Sequence, residues 1–207
     1  MIVFEHVSKT IKGHEILKDL NYTFEDHKIY GLYGPNGSGK TMILRLACGL
    51  VRASGGKVII NDGVLGKDFA FPPSVGVVIE NMELLPYLTA FDNLRELGDI
   101  KGVASDEDIR EALERVGLNT DKTVKKFSLG MRQRLNIAQA IFEHPDIILL
   151  DEPTNALDEE GVESIYKILK EEKDRGACII IASHNKNDFT RVVDQVIKVA
   201  NETMVEV

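Results

Sequence analysis

The chain has 207 residues, with 25 Lys+Arg against 33 Asp+Glu for a formal net charge of −8, and it is 43% hydrophobic and 28% charged. Those values exclude a disordered or collagen-like chain and suit one large domain, or a core with a smaller lobe. No apolar run approaches the ~18 residues that cross a bilayer, and the acidic balance opposes a general nucleic-acid binder, whose affinity rests on Lys and Arg.

The N-terminus carries neither a basic n-region nor a long apolar stretch before a small-residue cleavage site, so a cytoplasmic chain is expected. Residues 2–7, 15–24 and 28–33 alternate apolar and polar positions and read as strands joined by tight turns. They lead into Gly34-Pro35-Asn36-Gly37-Ser38-Gly39-Lys40-Thr41, after which Ile43, Leu44, Leu46, Ala47 and Leu50 fall at helical spacing. Residues 57–60 and 75–79 return to strand character. From about Leu84 the period turns helical: Thr89 with Asp92, and Ser105 with Asp108, have capping-box spacing, and Gly117 reads as a stop. A further helix is expected from Ser128, with Leu135, Ala138, Ile141 and Phe142 on one side and an end near His144-Pro145. Residues 147–150 are continuously apolar, as a strand buried on both faces requires, and residues 178–182 repeat the pattern. Val162, Ile165, Tyr166 and Leu169 mark an amphipathic helix between them, and residues 196–207 read as a closing hairpin. Helices alternating with apolar strands indicate an α/β core, expected over residues 1–80 and 145–207, with 81–144 as a helical lobe within one domain of residues 1–207. Cys48 and Cys178 sit in apolar contexts without metal-ligand spacing and are expected to be buried thiols.

The glycine run fits the phosphate-loop pattern G-x-x-x-x-G-K-[ST]. Its glycines let successive backbone N–H groups turn inward around an anion, and the following helix adds its positive N-terminal end. Lys40 is expected to reach the β- and γ-phosphates of a nucleotide and the Thr41 hydroxyl to ligate Mg²⁺; the competing reading is a glycine turn with a chance Lys-Thr behind it. Asp151 and Glu152 follow the apolar run at 147–150, and ligands of open α/β sheets gather at the carboxyl ends of strands. Asp151 is therefore expected to orient Mg²⁺, through water, and Glu152 to position or deprotonate the attacking water. Taken alone, the pair reads as a turn acid and a solvated neighbour; downstream of a phosphate loop the metal and water roles take precedence.

Between these motifs, Phe127-Ser128-Leu129-Gly130-Met131-Arg132-Gln133-Arg134 resembles the signature of ATP-binding-cassette (ABC) ATPases. Asp151 to Asp158 resembles that family's second carboxylate motif running into the D-loop, and Ile179-Ile180-Ile181-Ala182-Ser183-His184-Asn185 places His184 at its switch-histidine position. With the phosphate loop, these ordered motifs cover essentially the whole chain. The resemblance implies a P-loop NTPase of RecA-like core, with an antiparallel β subdomain and an inserted α-helical subdomain. It further implies that Ser128 and Gly130 face the γ-phosphate held by another subunit, that Asp158 lies in the loop crossing between subunits, and that His184 contacts the γ-phosphate. Read without it, Ser128 is a helix N-cap, Asp158 an exposed turn acid and His184 a partly buried residue.

Three positions depart from the family pattern. Glu80 stands where most members have Gln; a carboxylate can still ligate Mg²⁺ but adds negative charge beside a triphosphate, and the bacitracin-type and lantibiotic-type exporter branch is known for an acid there. Ile11 occupies the position that commonly stacks an aromatic on adenine, and Leu129 and Met131 replace the usual Gly and Gln of the signature. The function implied is the ATP-binding and ATP-hydrolysing subunit of an ABC exporter of a peptide antibiotic, drug or lipid-like compound. It would dimerise around Mg-ATP, with a second copy or a sister ATPase, and work on a separate transmembrane permease at the inner face of the membrane. Residues 81–88 are the expected docking stretch. No nucleic-acid partner is expected; the alternative is a non-transport cassette ATPase acting on a macromolecular or cofactor-assembly partner.

Overall fold

The computed structural model describes residues 1–80 and 84–207. Two sheets organise the chain. The first is an antiparallel sheet of β1 (Ile2–Ile11), β2 (His14–Phe24), β4 (Gly55–Ile60) and β5 (Gly63–Val64), in the order β2-β1-β4-β5. The second has six strands in the order β10-β9-β3-β8-β7-β6, built from β3 (Lys28–Tyr33), β6 (Val75–Val78), β7 (Ile147–Asp151), β8 (Cys178–Ser183), β9 (Gln195–Ala200) and β10 (Thr203–Glu206). Its neighbours pair in parallel except β9 with β10, which close as the antiparallel hairpin expected at the C-terminus.

The continuous apolar runs of β7 and β8 follow from burial on both faces of this second sheet. Ile148, Leu150, Ile179 and Ile181 join a core with the helical segment and α5 (Glu159–Arg175), while Ile147, Leu149, Cys178, Ile180 and Ala182 join a second core with the antiparallel sheet and α1 (Lys40–Ala47). Alternate side chains of one strand therefore serve opposite cores, so neither face carries a polar stripe. Both cysteines are buried among these apolar side chains and unpaired, as expected, and burial pushes the Cys178 thiol up to about 12.

Residues 84–146 connect β6 to β7, which lie side by side in the sheet, through α2 (Ala90–Lys101), α3 (Asp106–Arg115) and α4 (Leu129–Ile141). Each helix starts at the cap that the sequence marks. Thr89 Oγ1 accepts from the Asp92 N–H at 3.1 Å, but its reciprocal half differs from the expected box: the Asp92 carboxylate takes the Thr89 hydroxyl at 2.6 Å rather than the backbone. Ser105 and Asp108 complete the reciprocal box, satisfying two donors that a helix start otherwise leaves open. Gly76 sets how closely α4 lies on β6: a Cβ there would meet Ala140 O at 1.8 Å. α3 is tied to α5 by charge. The Glu172 carboxylate, 2% exposed, takes Arg115 at 2.7 Å and Arg175 at 2.8 Å.

No helix among the described residues is long and apolar enough to cross a membrane. Of the expected docking stretch, residues 81–83 lie outside the described residues; beyond them Leu85 and Tyr87 are exposed.

Candidate active site

The turn between β3 and α1 is built from backbone conformations that side chains resist. Gly37 (φ 80°) and Gly39 (φ 103°) are left-handed, and Gly39 is the N-cap of α1, so the first N–H groups of the helix open onto the turn without a side-chain cap. Lys40 is 7% exposed and folds back over the turn, its Nζ donating to Gly34 O at 2.7 Å and Pro35 O at 3.1 Å. Burial lowers its pKa, an effect that the charges of Glu152 and Asp151 oppose. Ser38 Oγ is buried in the same turn with no hydrogen-bond partner among the described residues, one of two such side-chain atoms with Asn136 Oδ1 of α4.

Beneath the turn lies a cleft of about 520 Å³, lined by Asn36, Gly37, Gly39, Lys40 and Thr41 on one side and by Glu80, Asp151 and Glu152 on the other. Asp151 ends β7 and accepts the Thr41 hydroxyl at 2.5 Å. Burial raises the Asp151 pKa; the Thr41 hydrogen bond opposes that, and the Glu152 charge adds to it. A half-buried carboxylate against a hydroxyl, with a second carboxylate alongside, is a hard oxygen donor set of the kind Mg²⁺ takes. Glu80 lines the cleft but its carboxylate is paired with Arg45 at 2.6 Å, a partner from α1 that compensates the extra negative charge of an acid at this position.

Glu152 has φ 49°, a strained backbone for a side chain of its size, and the C-terminal end of β8 holds it there. Its N–H donates to Ala182 O at 2.8 Å, and its Oε1 receives the His184 N–H at 2.9 Å and lies 2.7 Å from His184 Nδ1. The hydrogen bond to Glu152, with the charge of that carboxylate, raises the His184 pKa.

The structure thus brings together Lys40, Thr41, Glu80, Asp151, Glu152 and His184 around the turn from Gly34 to Thr41, and leaves four expected residues elsewhere. Ile11 ends β1 and does not line the cleft; Ile16 of β2 supplies the apolar wall instead. The hairpin of β1 and β2 has register shifts between Phe4 and Thr10, beyond which Ile11 pairs with His14. Ser128 caps α4 by accepting from the Met131 N–H at 3.2 Å, and Gly130 lies close to Ala156 O, where a Cβ would stand at 3.0 Å. Asp158 is the N-cap of α5, accepting from the Gly161 N–H at 3.0 Å. Gln133 was missed: it lines the cleft from α4 and donates to Pro153 O at 2.8 Å. Its place inside the signature-like segment from Phe127 to Arg134 was the available signal.

The family model described as ABC transporter matches residues 17–155. The chain is 55% identical over 94% of its length to an uncharacterised ABC transporter ATP-binding protein, YybJ, of Bacillus subtilis (strain 168), of which it covers 90%. It is 35% identical, over 94% of itself and 84% of the relative, to the lantibiotic transport ATP-binding protein SrtF of Streptococcus pyogenes. To the bacitracin transport ATP-binding protein BcrA of Bacillus licheniformis it is 34% identical, over 92% of itself and 63% of the relative. Among solved structures, the dimeric bacterial ABC transporter cassette MJ0796 superposes with a TM-score of 0.87 at 25% identity, over 100% of this chain and 98% of that one.

Proposed function

This chain belongs to the ABC transporter family and is an ATP-binding cassette ATPase, and from that premise we propose that it is the separate motor subunit of an exporter, hydrolysing Mg-ATP between two cassettes. The observation that carries the reading is the cleft in which the phosphate loop, Asp151 and Glu152 meet at the carboxyl ends of the parallel strands.

In this reading the N–H groups of the turn and the start of α1 bind the triphosphate, and Lys40, released from Gly34 O and Pro35 O, contributes its charge to the phosphates. Ser38 Oγ, otherwise unpartnered, gains a polar neighbour. Thr41, Asp151 and Glu80 would hold Mg²⁺, which supplies charge compensation on the phosphates. Glu152, fixed at Oε1 by His184, orients the attacking water and takes its proton. His184 Nδ1 is engaged with Glu152, leaving Nε2 to face the γ-phosphate. Ile16 meets the base without stacking on it, so selection for adenine rests on apolar contact.

Ser128 and Gly130 at the start of α4, and Asp158 at the start of α5, lie outside the cleft and serve the nucleotide of a second cassette, either another copy or a sister ATPase. The start of α4, capped by the neutral Ser128 and without an acid in its first turn, presents N–H groups that suit an anion brought by a partner, and Asp158 takes part from the crossing loop. The motor works on a separate transmembrane permease, at the cytoplasmic face of the membrane. The lantibiotic and bacitracin transport relatives support a peptide antibiotic, drug or lipid-like compound as cargo.

Replacing Glu152 by Gln tests the mechanism: ATP binding persists, turnover falls, and a dimer accumulates with Mg-ATP on size-exclusion chromatography. Wild-type turnover, or a monomer at saturating Mg-ATP, would contradict it. Co-purification with a membrane subunit encoded as another chain tests the transporter assignment.

A further inference from the structure

Ser183 ends β8 and is 1% exposed, yet its hydroxyl stands between two carboxylates: Oγ lies 2.7 Å from Asp188 Oδ2 and 3.0 Å from Glu152 Oε2. It also accepts the Asn185 N–H at 3.2 Å. A serine hydroxyl owns one proton, and ionised carboxylates only accept, so the two acids compete for a single donor. The Asp188 contact falls in the range of charge-assisted O–H···O⁻ bonds and the Glu152 contact lies beyond it. Asp188 is itself aimed at the hydroxyl, because its other oxygen, Oδ1, takes Asn185 Nδ2 at 2.9 Å.

We propose that Asp188 is a positioning residue that draws the Ser183 proton away from Glu152, so that Oε2 stays free of a donated hydrogen bond while Oε1 is held by His184. The two edges of the Glu152 carboxylate then have separate tasks. Oε1 is the anchor, with the His184 N–H and ring nitrogen upon it. Oε2 is the open acceptor, the oxygen onto which a proton from water can be delivered. A hydrogen bond donated to Oε2 would take one of the sites at which that oxygen accepts from water. This inference rests on the role proposed for Glu152 and adds the device that keeps one oxygen available.

The geometry makes an unusual genetic prediction. In Asp188→Asn, Asn185 Nδ2 still selects the amide oxygen, which turns the new NH₂ toward Ser183. The hydroxyl then accepts from both Asn185 N–H and the new amide, and its proton has only Glu152 Oε2 to go to. Asp188→Asn is therefore expected to lower kcat about tenfold, the scale of one charge-assisted hydrogen bond, with KM for ATP unchanged. Removing the contested proton reverses this: Ser183→Ala in the Asp188→Asn background returns kcat to the value of Ser183→Ala alone, above that of Asp188→Asn.

The experiment measures Mg-ATP turnover of the full chain and of the three variants at saturating nucleotide, with ATP affinity by calorimetry and thermal unfolding to establish that each is folded. A damaged fold would be worsened by a second substitution, so recovery in the double variant supports the proposal. A double variant as slow as Asp188→Asn or slower overturns it, as does Asp188→Asn at the wild-type rate. Glu152→Gln run alongside separates the two levels. If it is inactive while Asp188→Asn is unaffected, this inference alone fails; if it turns over at the wild-type rate, the role of Glu152 fails and takes the inference with it.

Discussion

Glu172→Ala removes the one buried charge that joins α3 to α5, and its cost follows from what is left behind. The Glu172 side chain is 2% exposed and holds Arg115, itself only 17% exposed, at 2.7 Å, together with Arg175 at 2.8 Å. Burial alone would lower the Arg115 pKa, and the hydrogen bond and charge of Glu172 reverse this into a rise, so the carboxylate offsets the desolvation of a guanidinium that stays charged with or without it. Breaking a buried pair by deleting one partner costs ~3–5 kcal/mol, because the surviving charge is left in low dielectric. Arg115 retains a second acid, Glu171, at 3.1 Å on the exposed side, and Arg175 keeps its bond to Pro145 O at 2.6 Å, which puts the expectation at the lower end, about 3 kcal/mol. For a chain of this size that is a fall in Tm of roughly 6–12 °C, read by circular dichroism or calorimetry. Glu172→Gln keeps the shape and some hydrogen bonding and should fall between the two. A Glu172→Ala protein within about 1 kcal/mol of wild type by denaturant titration would show that the network adds nothing net, and the argument from burial would be refuted.

Lys40→Ala should abolish most triphosphate affinity while leaving the fold intact, since among the described residues the ammonium bonds only to Gly34 O and Pro35 O; unchanged ATP binding by calorimetry would contradict the loop assignment. Ser105→Ala should cost about 1 kcal/mol as a lost N-cap, read as a shift in the denaturation midpoint. It also bears on acid stability: the Ser105 hydroxyl and backbone N–H depress the Asp108 pKa, so that contribution is present above the unfolded carboxylate value and is lost as pH falls through the folded one. The variant should accordingly show a weaker loss of stability below about pH 4, and an unchanged acid profile would count against the box. Cys178, buried and held to about 12, should resist iodoacetamide at pH 8 in the native state and react once denatured; rapid native alkylation would place it elsewhere.

The phosphate loop, the carboxylate pair and the helix caps are all local patterns, and each was legible in the chain. Three glycines and a lysine at fixed spacing mark a turn; Ser105 with Asp108 closes its box within one helical turn; and the unbroken apolar runs at 147–150 and 178–182 have the length and character of strands buried on both faces, as β7 and β8 are. Position beside the cleft is less legible: Ile11 was the expected neighbour of the base, while the apolar residue of this hairpin that lines the cleft is Ile16.

What only the tertiary structure decided is how charges are partnered across the sheet. Sequence marks His184 as a site residue but not its pairing with Glu152, nor Ser183 and Asp188 beside it, 31 to 36 residues on; the parallel register that sets Asp151 opposite Ala182 delivers them. Arg45 compensating Glu80, and Arg115 reaching Glu172, are likewise contacts between separate elements. Residue type and spacing determine which backbone shape a segment takes. Which side chain shares a proton with which carboxylate depends on distances of a few tenths of an ångström, and these exist only once the strands have aligned.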